Sequence, residues 1–198
     1  KSGTWAIPAT YDKAGQFSMG RAPVRMGERY GYIAHNGEPA TASDFYWAES
    51  FSSGVGRVRV GTPPNINYAF VDTTGRILFT SHMDETFGMS DGMARVRVGE
   101  KWGYLNQKGK VAIPAQFDFA FDFSEGLAAV RQDTAWGYIS PTGKMAIEPL
   151  FLVAEPFEGG VAYVTFRGGW GYINRAGKMI WKTEPGSAAV GGEADTED

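Results

Sequence analysis

A stretch built around Trp-Gly-Tyr-Ile recurs along this chain and constrains its fold more than any other feature. The best copy spans residues 135–144, close copies span 101–110 and 169–178, and weaker ones lie at 30–33 and 68–71. Self-similarity at a fixed spacing is the signature of a repeat architecture, in which one small unit is stacked several times. The chain is therefore predicted to be a repeat protein.

The repeat has a period of 34 residues and occurs five times. The second position of the motif is held by Gly31, Ala69, Gly103, Gly137 and Gly171, so three intervals are 34 residues and the first is 38. The turn glycines upstream of the motif have their 38-residue interval one unit later, between Gly54 and Gly92, so the four extra residues lie between Gly54 and Ala69. Residues 61–67, which contain two prolines, supply them. The predicted domain covers 1–183, with units at 3–36, 37–74, 75–108, 109–142 and 143–176 and a closing strand at 177–182.

Each unit is predicted to contain a three-stranded antiparallel meander and one crossing segment. In the fourth unit, residues 110–113 form a short strand that ends at Pro114, because proline cannot donate to a ladder. Residues 117–123 form the crossing segment, and 127–131 and 136–139 form the next two strands. Short turns containing glycine join them, as expected for hairpins. The fold class is therefore all-β.

A meander of this size cannot bury its apolar face alone, so the units must stack. Two columns are predicted to be buried in the stack: Ala14, Ala48, Thr86, Ala120 and Ala154, and Phe17, Phe51, Met89, Phe123 and Phe157. An open superhelical array with Trp5 and Trp181 at its ends is the predicted arrangement, and a closed five-bladed propeller-like ring is the alternative. The first-strand pattern occurs at both ends of the chain, which favours the open array because a ring of five would have one strand too many.

Charge and composition exclude several classes of function. Five of the 22 acidic residues lie in 184–198, so residues 1–183 carry 17 acidic and 19 basic groups. This near-neutral region lacks the basic stripe that displaces phosphate counterions, and no nucleic-acid binding is predicted. No apolar run reaches the ~18 residues of a membrane span, so no membrane insertion is predicted. Residues 184–198 are interpreted as a disordered acidic tail.

The motif and the turn before it resemble those of the bacterial WG-repeat family, named for its Trp-Gly pair and related to the KWG repeats. The resemblance is carried by Trp136-Gly137-Tyr138-Ile139, by Gly143-Lys144, and by Phe123-Ser124-Glu125-Gly126-Leu127 upstream. It covers residues 1–182 and is strongest in the last three units. It implies a β-rich repeat protein that binds or scaffolds, without catalytic residues, and favours an exported location, periplasmic or at the cell surface, over the cytoplasm.

No group of residues indicates an active site. His35 lies in a hairpin turn and His82 in a crossing segment, and both are interpreted as solvated loop residues. A metal site formed by His82, Asp84 and Glu85 is the alternative, although such tight spacing in a loop is a weak signal. No catalytic residue, cofactor or metal is predicted, and the chain is predicted not to be an enzyme.

Positions that differ between units are the best candidates for a binding surface, because packing does not determine them. The residues on either side of the alanine column include four aromatic ones, which are predicted to gather into a patch of the kind that marks interaction sites: Trp47, Phe87, Phe119 and Phe121. The alternative is that the crossing segments lie between units with both sides buried.

A column of arginines is the second candidate. Four successive units carry the same residue, at Arg25, Arg59, Arg97 and Arg131. A row of guanidinium groups could bind carboxylates or an acidic polymer by bidentate contacts. The alternative is that each arginine pairs with a carboxylate such as Asp12, Asp84 or Asp118.

The motif residues themselves are interpreted as structural, because a residue that every unit repeats is one that every unit needs for packing. They are Trp102, Gly103, Tyr104, Trp136, Gly137, Tyr138, Trp170, Gly171 and Tyr172. The predicted function is a non-enzymatic binding or scaffold module that recognises another protein through its crossing segments. A carbohydrate or cell-wall binding module that uses the tryptophan and tyrosine rows is the alternative.

Overall fold

The computed structural model describes residue 7, residues 10–41 and residues 44–183, and this region of the chain contains nineteen strands and no helix. The strands are β1 (Lys13–Ala14), β2 (Arg21–Met26), β3 (Arg29–Ala34), β4 (Trp47–Ala48), β5 (Gly56–Thr62), β6 (Asn65–Val71), β7 (Ile77–Ser81), β8 (Glu85–Ser90), β9 (Met93–Val98), β10 (Lys101–Asn106), β11 (Val111–Phe117), β12 (Phe119–Ala120), β13 (Ala128–Gln132), β14 (Ala135–Ile139), β15 (Met145–Phe151), β16 (Val153–Ala154), β17 (Val161–Phe166), β18 (Gly169–Asn174) and β19 (Met179–Lys182). No described segment forms a helix that could span a bilayer.

The strands form five antiparallel sheets, one for each repeat. In chain order they contain β1–β3, β4–β7, β8–β11, β12–β15 and β16–β19. The segment beside β3 continues the first sheet through bridges from Ile33 to Pro39 and from Tyr30 to Phe45. The all-β array of five units expected from the period is therefore what the chain forms.

The sheets begin later than the units of the sequence. Each crossing segment supplies the first strand of a sheet, as β12 does by pairing with β13. The strand that opens each sequence unit is instead the last strand of the preceding sheet, since β11 pairs with β10. Short hairpins keep consecutive strands adjacent, so the four-stranded sheet is the natural grouping.

The glycine after the motif tryptophan lies directly beneath the backbone of the neighbouring last strand. Between β14 and β15 the register shifts from the pair Trp136–Phe151 to the pair Tyr138–Ile147. A Cβ atom on Gly137 would lie 2.6 Å from the carbonyl oxygen of Ile147, closer than non-bonded atoms can approach. Gly103 faces the same obstacle at Ile113, again at 2.6 Å.

The second sheet shows why its motif tolerates alanine. Tyr68, Ala69 and Phe70 pair in unbroken register with Ser81, Thr80 and Phe79. In the third, fourth and fifth sheets the last strand approaches the motif glycine too closely for a Cβ atom, whereas the second sheet accommodates the methyl group of Ala69.

Four hydrophobic clusters fill the spaces between consecutive sheets. Phe51 and Val58 lie in the first, Phe70 and Val96 in the second, Phe117 and Phe123 in the third, and Phe157 and Val164 in the fourth. Because successive side chains of a strand point to opposite faces, each inner sheet contributes to the cluster on either side of it.

The array is open. Among the described residues, β19 pairs with β18 alone, and no hydrogen bond joins the fifth sheet to the first. The predicted burial of the alanine and phenylalanine columns holds in the later units but is wrong in the first, where Ala14 is exposed and Phe17 is 39% exposed. No sheet of the described region precedes the first one, so these two residues lack the cover that their counterparts have. The predicted cap Trp5 and the acidic tail 184–198 lie outside the described residues.

Candidate binding surface

The crossing segments bring their side chains to one edge of the array. The first strands of all five sheets are edge strands, and four of them, β1, β4, β12 and β16, are only two residues long. Short edge strands present few unpaired backbone groups, so side chains dominate the surface there. This is the surface on which the sequence placed its candidate binding residues.

Arg57 joins the crossing segments of the second and third sheets. Its guanidinium carbon lies 5.1 Å from the ring centre of Trp47, 4.8 Å from that of Tyr68 and 5.9 Å from that of Phe87. The same group donates two hydrogen bonds to the carboxylate of Glu49, at 2.9 and 2.5 Å. Its charge is therefore neutralised by Glu49, while aromatic rings of both the second and the third sheet lie close to the guanidinium group.

Arg95 has the same role in the next sheet. Its guanidinium carbon lies 4.0 Å from the ring centre of Phe87 and 4.9 Å from that of Trp102. It donates to a carboxylate oxygen of Asp122 at 3.1 Å and to the carbonyl oxygen of Ala120 at 2.5 Å. Both acceptors belong to the fourth sheet's crossing segment, so Arg95 ties the third sheet to the fourth.

Beyond Arg95 the contacts are purely aromatic. The ring of Trp102 lies 5.6 Å from that of Phe119, and Phe119 lies 5.7 Å from Trp136. Phe121 stacks on Trp136 with 5.4 Å between ring centres. We call the continuous set the aromatic–arginine ladder; it consists of Trp47, Arg57, Tyr68, Phe87, Arg95, Trp102, Phe119, Phe121 and Trp136.

The ladder brings the four predicted aromatic residues into one surface, though not by direct contact throughout. Phe119 and Phe121 touch each other, whereas Phe87 reaches Phe119 only through Trp102. Trp47 is connected to Phe87 only through Arg57. All four are half-buried.

Sequence reasoning missed the two arginines that hold the ladder together. Arg57 and Arg95 occupy one column of the repeat, which carries Pro23, Ala129 and Tyr163 in the other units. Variation within a column was the signal used to find the aromatic residues. The same signal, applied to the strand facing them, points to Arg57 and Arg95.

The predicted arginine column does not behave as one row. Arg97 pairs with the carboxylate of Glu85, whereas Arg25, Arg59 and Arg131 form no ion pair among the described residues. The Nε atoms of Arg25 and Arg131 are buried without a hydrogen-bond partner. Arg59 is exposed and lies 5.6 Å from the ring centre of Tyr68.

The aspartates proposed as partners of those arginines bind the hairpins instead. Asp12 and Asp84 accept hydrogen bonds from the N–H groups of Gly27 and Gly99, at 2.7 and 2.6 Å. The third, Asp118, accepts from the Lys101 ammonium at 2.5 Å and from the N–H of Asp133 at 2.7 Å. These hydrogen bonds, with that from Lys101 the largest cause, lower the pKa of Asp118.

Trp47 forms the wall between two surface depressions. The larger has a volume of about 340 Å³ and is lined by Tyr46, Trp47, Arg57, Arg59 and Tyr68. The other, of about 210 Å³, lies against the first sheet and is lined by Lys13, Ala14, Gly15, Pro23, Tyr30, Trp47 and Ala48. Two of the cations here, Lys13 and Arg59, are exposed.

Three of the motif tyrosines are buried between sheets. The hydroxyl groups of Tyr32, Tyr104 and Tyr138 donate to main-chain carbonyl oxygens of the next sheet at 2.6, 2.6 and 2.8 Å. Burial, which disfavours the charged phenolate, raises the pKa of all three well above the ordinary value. The motif tryptophans are less uniform, because Trp102 is buried while Trp136 and Trp170 are half-buried.

Neither histidine lies in a cluster of metal-ligating groups. His35 stacks on Phe17 with 4.2 Å between ring centres, and His82 is exposed. Within the described region of the chain, no three His, Cys, Asp or Glu side chains lie close enough together to hold a metal ion.

Comparison with a family model decides what kind of protein this is. The model of the WG containing repeat matches residues 1–30, 30–61, 68–102, 102–133 and 136–169. The chain belongs to the WG-repeat family. The matches equal the sheets in number, although most of them span parts of two consecutive sheets, and this WG-repeat protein is a repeat module over most of its length. A search of curated proteins gave no match.

Solved structures share the fold at low sequence identity. KlHsv2 with its loop 6CD replaced by a Gly-Ser linker is 10% identical with a TM-score of 0.52, covering 85% of this chain and 64% of that one. A eukaryotic initiation factor is 14% identical with a TM-score of 0.53, covering 88% of this chain and 56% of that one. The WG-repeat chain thus spans less than two thirds of either protein, and the likeness concerns fold alone.

Proposed function

We propose that this WG-repeat module binds another protein through the region of the aromatic–arginine ladder around Trp47. The observation that carries the proposal is that Trp47 stands between two depressions, with an exposed cation, Lys13 or Arg59, beside each. Aromatic and arginine side chains next to recesses are the groups that dominate binding energy in protein interfaces.

The chemistry of the two depressions indicates an extended segment that carries a carboxylate. Arg57 is already neutralised by Glu49, but Arg59 forms no ion pair among the described residues and keeps its donors for a ligand. The rings of Tyr46 and Tyr68 line the same depression and offer flat apolar contact. An aspartate or glutamate near an apolar residue would satisfy both features.

Binding rather than catalysis is proposed because the lining residues lack the groups that catalysis needs. Neither depression is lined by a histidine, a serine or a pair of carboxylates. General acid–base chemistry requires two titratable groups within reach of one substrate. The surface offers cations and rings, which recognise a ligand without transforming it.

The glycan alternative is not carried forward. It would use the rows of motif aromatics as stacking platforms, and a sugar must reach the face of a ring to stack on it. Tyr32, Tyr104 and Tyr138 are at most 1% exposed and pack between sheets, and Tyr172 on the fifth sheet is the exposed member of the row, so the row does not form a continuous platform.

The test is selection of binding peptides from a random display library, followed by titration of the selected peptides against variants. We expect the peptides to be rich in Asp and Glu, and both Trp47→Ala and Arg59→Ala to weaken binding at least about tenfold. Arg76→Ala is the matched control, because Arg76 is also exposed but lies away from the ladder and pairs with Asp72. Arg59 is exposed, so its variant separates lost binding from lost folding.

Equal binding of the selected peptides to wild type, Trp47→Ala and Arg59→Ala would disprove this site. A loss in Arg76→Ala as large as in Arg59→Ala would show that only overall charge matters. Unfolding curves of each variant confirm that the compared proteins are folded.

A further inference from the structure

The first and fifth sheets expose the two halves of the interface that elsewhere joins consecutive sheets. In three of the four interfaces the ring of a motif tyrosine packs against the phenylalanine of the next crossing segment, and between the second and third sheets Phe70 and Met89 hold those positions. Ring centres are 4.6 Å apart for Tyr32 and Phe51, and 4.8 Å apart for Tyr138 and Phe157. The tyrosine hydroxyl also donates to the carbonyl oxygen of the residue two before that phenylalanine, Glu49 or Glu155.

The fifth sheet carries the tyrosine half, and no other sheet of the described residues covers it. Tyr172 is 39% exposed, whereas its counterparts Tyr32, Tyr104 and Tyr138 are at most 1% exposed. Its aromatic neighbours, Tyr163, Trp170 and Trp181, all belong to the fifth sheet. Trp181 is itself 50% exposed. An apolar face of this kind marks a contact surface.

The first sheet carries the phenylalanine half. Phe17 is 39% exposed, whereas Phe51, Phe123 and Phe157 are at most 2% exposed. Ala14, Gly15 and Phe17 occupy the columns of Ala154, Glu155 and Phe157 in the last crossing segment. The carbonyl oxygen of Gly15 therefore stands where a motif tyrosine finds its acceptor.

We propose that copies of this chain associate head to tail, with the first sheet of one copy docked on the fifth sheet of another. Phe17 of the incoming copy would pack on Tyr172, and the Tyr172 hydroxyl would donate to the carbonyl oxygen of Gly15. The contact continues an interface that the chain already forms four times within itself. Each added copy leaves a free half at either end, so the association extends beyond a dimer.

Two residues make this junction weaker than those inside the chain. Ser18, Ser90 and Ser124 donate to the carbonyl oxygen of the next unit's phenylalanine at 2.6 to 2.7 Å. The fifth unit has Glu158 at that position, whose carboxylate cannot donate. The next position holds Gly159, which lacks the carboxylate that Glu125 offers to the N–H of Gly160.

Ile7 also fills space that the fifth sheet of the docked copy would need. It covers Gly37 in the first sheet, as Ile147 covers Gly177 and Ile113 covers Gly143. Trp181 lies in the column of Ile113 and Ile147, so a docked copy brings Trp181 to the place of Ile7. Association therefore displaces Ile7, and a substitution that weakens the contact of Ile7 with Gly37 favours docking.

The experiment is sedimentation velocity of the full chain over a concentration series. We expect mass to rise with concentration, Glu158→Ser to increase the association constant about fivefold through one regained hydrogen bond, and Ile7→Ser to increase it as well. Phe17→Ala and Tyr172→Ala should each decrease it at least about tenfold. Both side chains are partly exposed, so neither variant should unfold.

Mixing the two weakened variants gives the decisive readout. A Phe17→Ala chain keeps an intact fifth sheet and a Tyr172→Ala chain an intact first sheet, so a mixture should form dimers and stop there. Three outcomes overturn the proposal. The first is a double variant, Glu158→Ser with Ile7→Ser, that stays monomeric at every concentration. The second is association that Phe17→Ala does not weaken. The third is association that appears only when residues 184–198 are removed, which would show that this segment occupies the face.

Discussion

The hydroxyl of Tyr104 donates a hydrogen bond of 2.6 Å to the carbonyl oxygen of Phe121, 17 residues along the chain and in the next sheet. Tyr32 and Tyr138 make the same bond over the same separation. Two of these bonds, those of Tyr32 and Tyr104, link a motif strand to a crossing segment that carries candidate binding residues. Tyr32 and Tyr104 therefore position the binding surface without belonging to it.

Removing the Tyr104 hydroxyl should destabilise the fold. Tyr104→Phe leaves the carbonyl oxygen of Phe121 without its donor, and we expect the free energy of unfolding to fall by about 1–2 kcal/mol. Urea denaturation measures the change. Tyr172→Phe is the control, because Tyr172 is partly exposed and should lose almost nothing. An equal loss in both variants would contradict the role given to the hydrogen bond.

Alkaline pH should destabilise the protein through the same tyrosines. Burial raises the pKa of Tyr32, Tyr104 and Tyr138 above the ordinary 10.0, so above about pH 10 the unfolded chain releases protons that the folded chain retains. Stability is unaffected by these groups below that pH and is lost as pH rises above it. Each group contributes a slope of about 1.4 kcal/mol per pH unit.

Urea denaturation at a series of alkaline pH values checks this slope. The Tyr104→Phe variant should lose less stability per pH unit than wild type, by the contribution of one group. Identical slopes in the two proteins would mean that Tyr104 ionises equally easily in the folded and unfolded states.

Adding a methyl group at the motif glycine should be costly. Gly137→Ala places a Cβ atom 2.6 Å from the carbonyl oxygen of Ile147, so β15 must move, and we expect a loss of at least about 2 kcal/mol. The reverse change Ala69→Gly should cost only about 1 kcal/mol, because it causes no steric clash and loses only one buried methyl group and some backbone rigidity. Thermal unfolding ranks the two variants, and a larger loss for Ala69→Gly would refute the steric explanation.

Arg57 should not be replaceable by lysine. Its guanidinium group binds Glu49 through two hydrogen bonds and also donates to the carbonyl oxygen of Thr86 in the next sheet. An ammonium group cannot reproduce that fork, so Arg57→Lys should cost about 1–3 kcal/mol. Arg59→Lys, at an exposed position of the same strand, should stay within about 0.5 kcal/mol of wild type in the same denaturation assay.

The number of sheets was accessible from the 34-residue period. Their antiparallel pairing was predicted from the short glycine-containing turns, and their open stacking from the first-strand pattern at both ends. The sheet boundaries were not, since a repeat has no marked beginning and the crossing segment reads equally well as a loop or a strand. β12 shows the difficulty, because only two of its residues pair.

Some of the candidate surface was also readable. Phe119 and Phe121 were expected together from strand alternation, and they do lie together. Arg57 and Arg95 were not found, because their contacts cross from one sheet to the next and period and pattern describe only what happens within a unit. The exposure of Phe17 was missed for a related reason, since a column shared by five units does not show that the first described sheet packs against one neighbour only.

The repeated junction has a consequence for how such a chain changes over generations. Every internal sheet presents the same kind of surface to the sheet before it and to the sheet after it. Duplicating any 34-residue stretch, wherever the cut falls, would add one sheet whose two neighbours already fit it. The length of the array can thus vary by whole sheets without new contacts having to arise, while the crossing segments of the copies diverge independently.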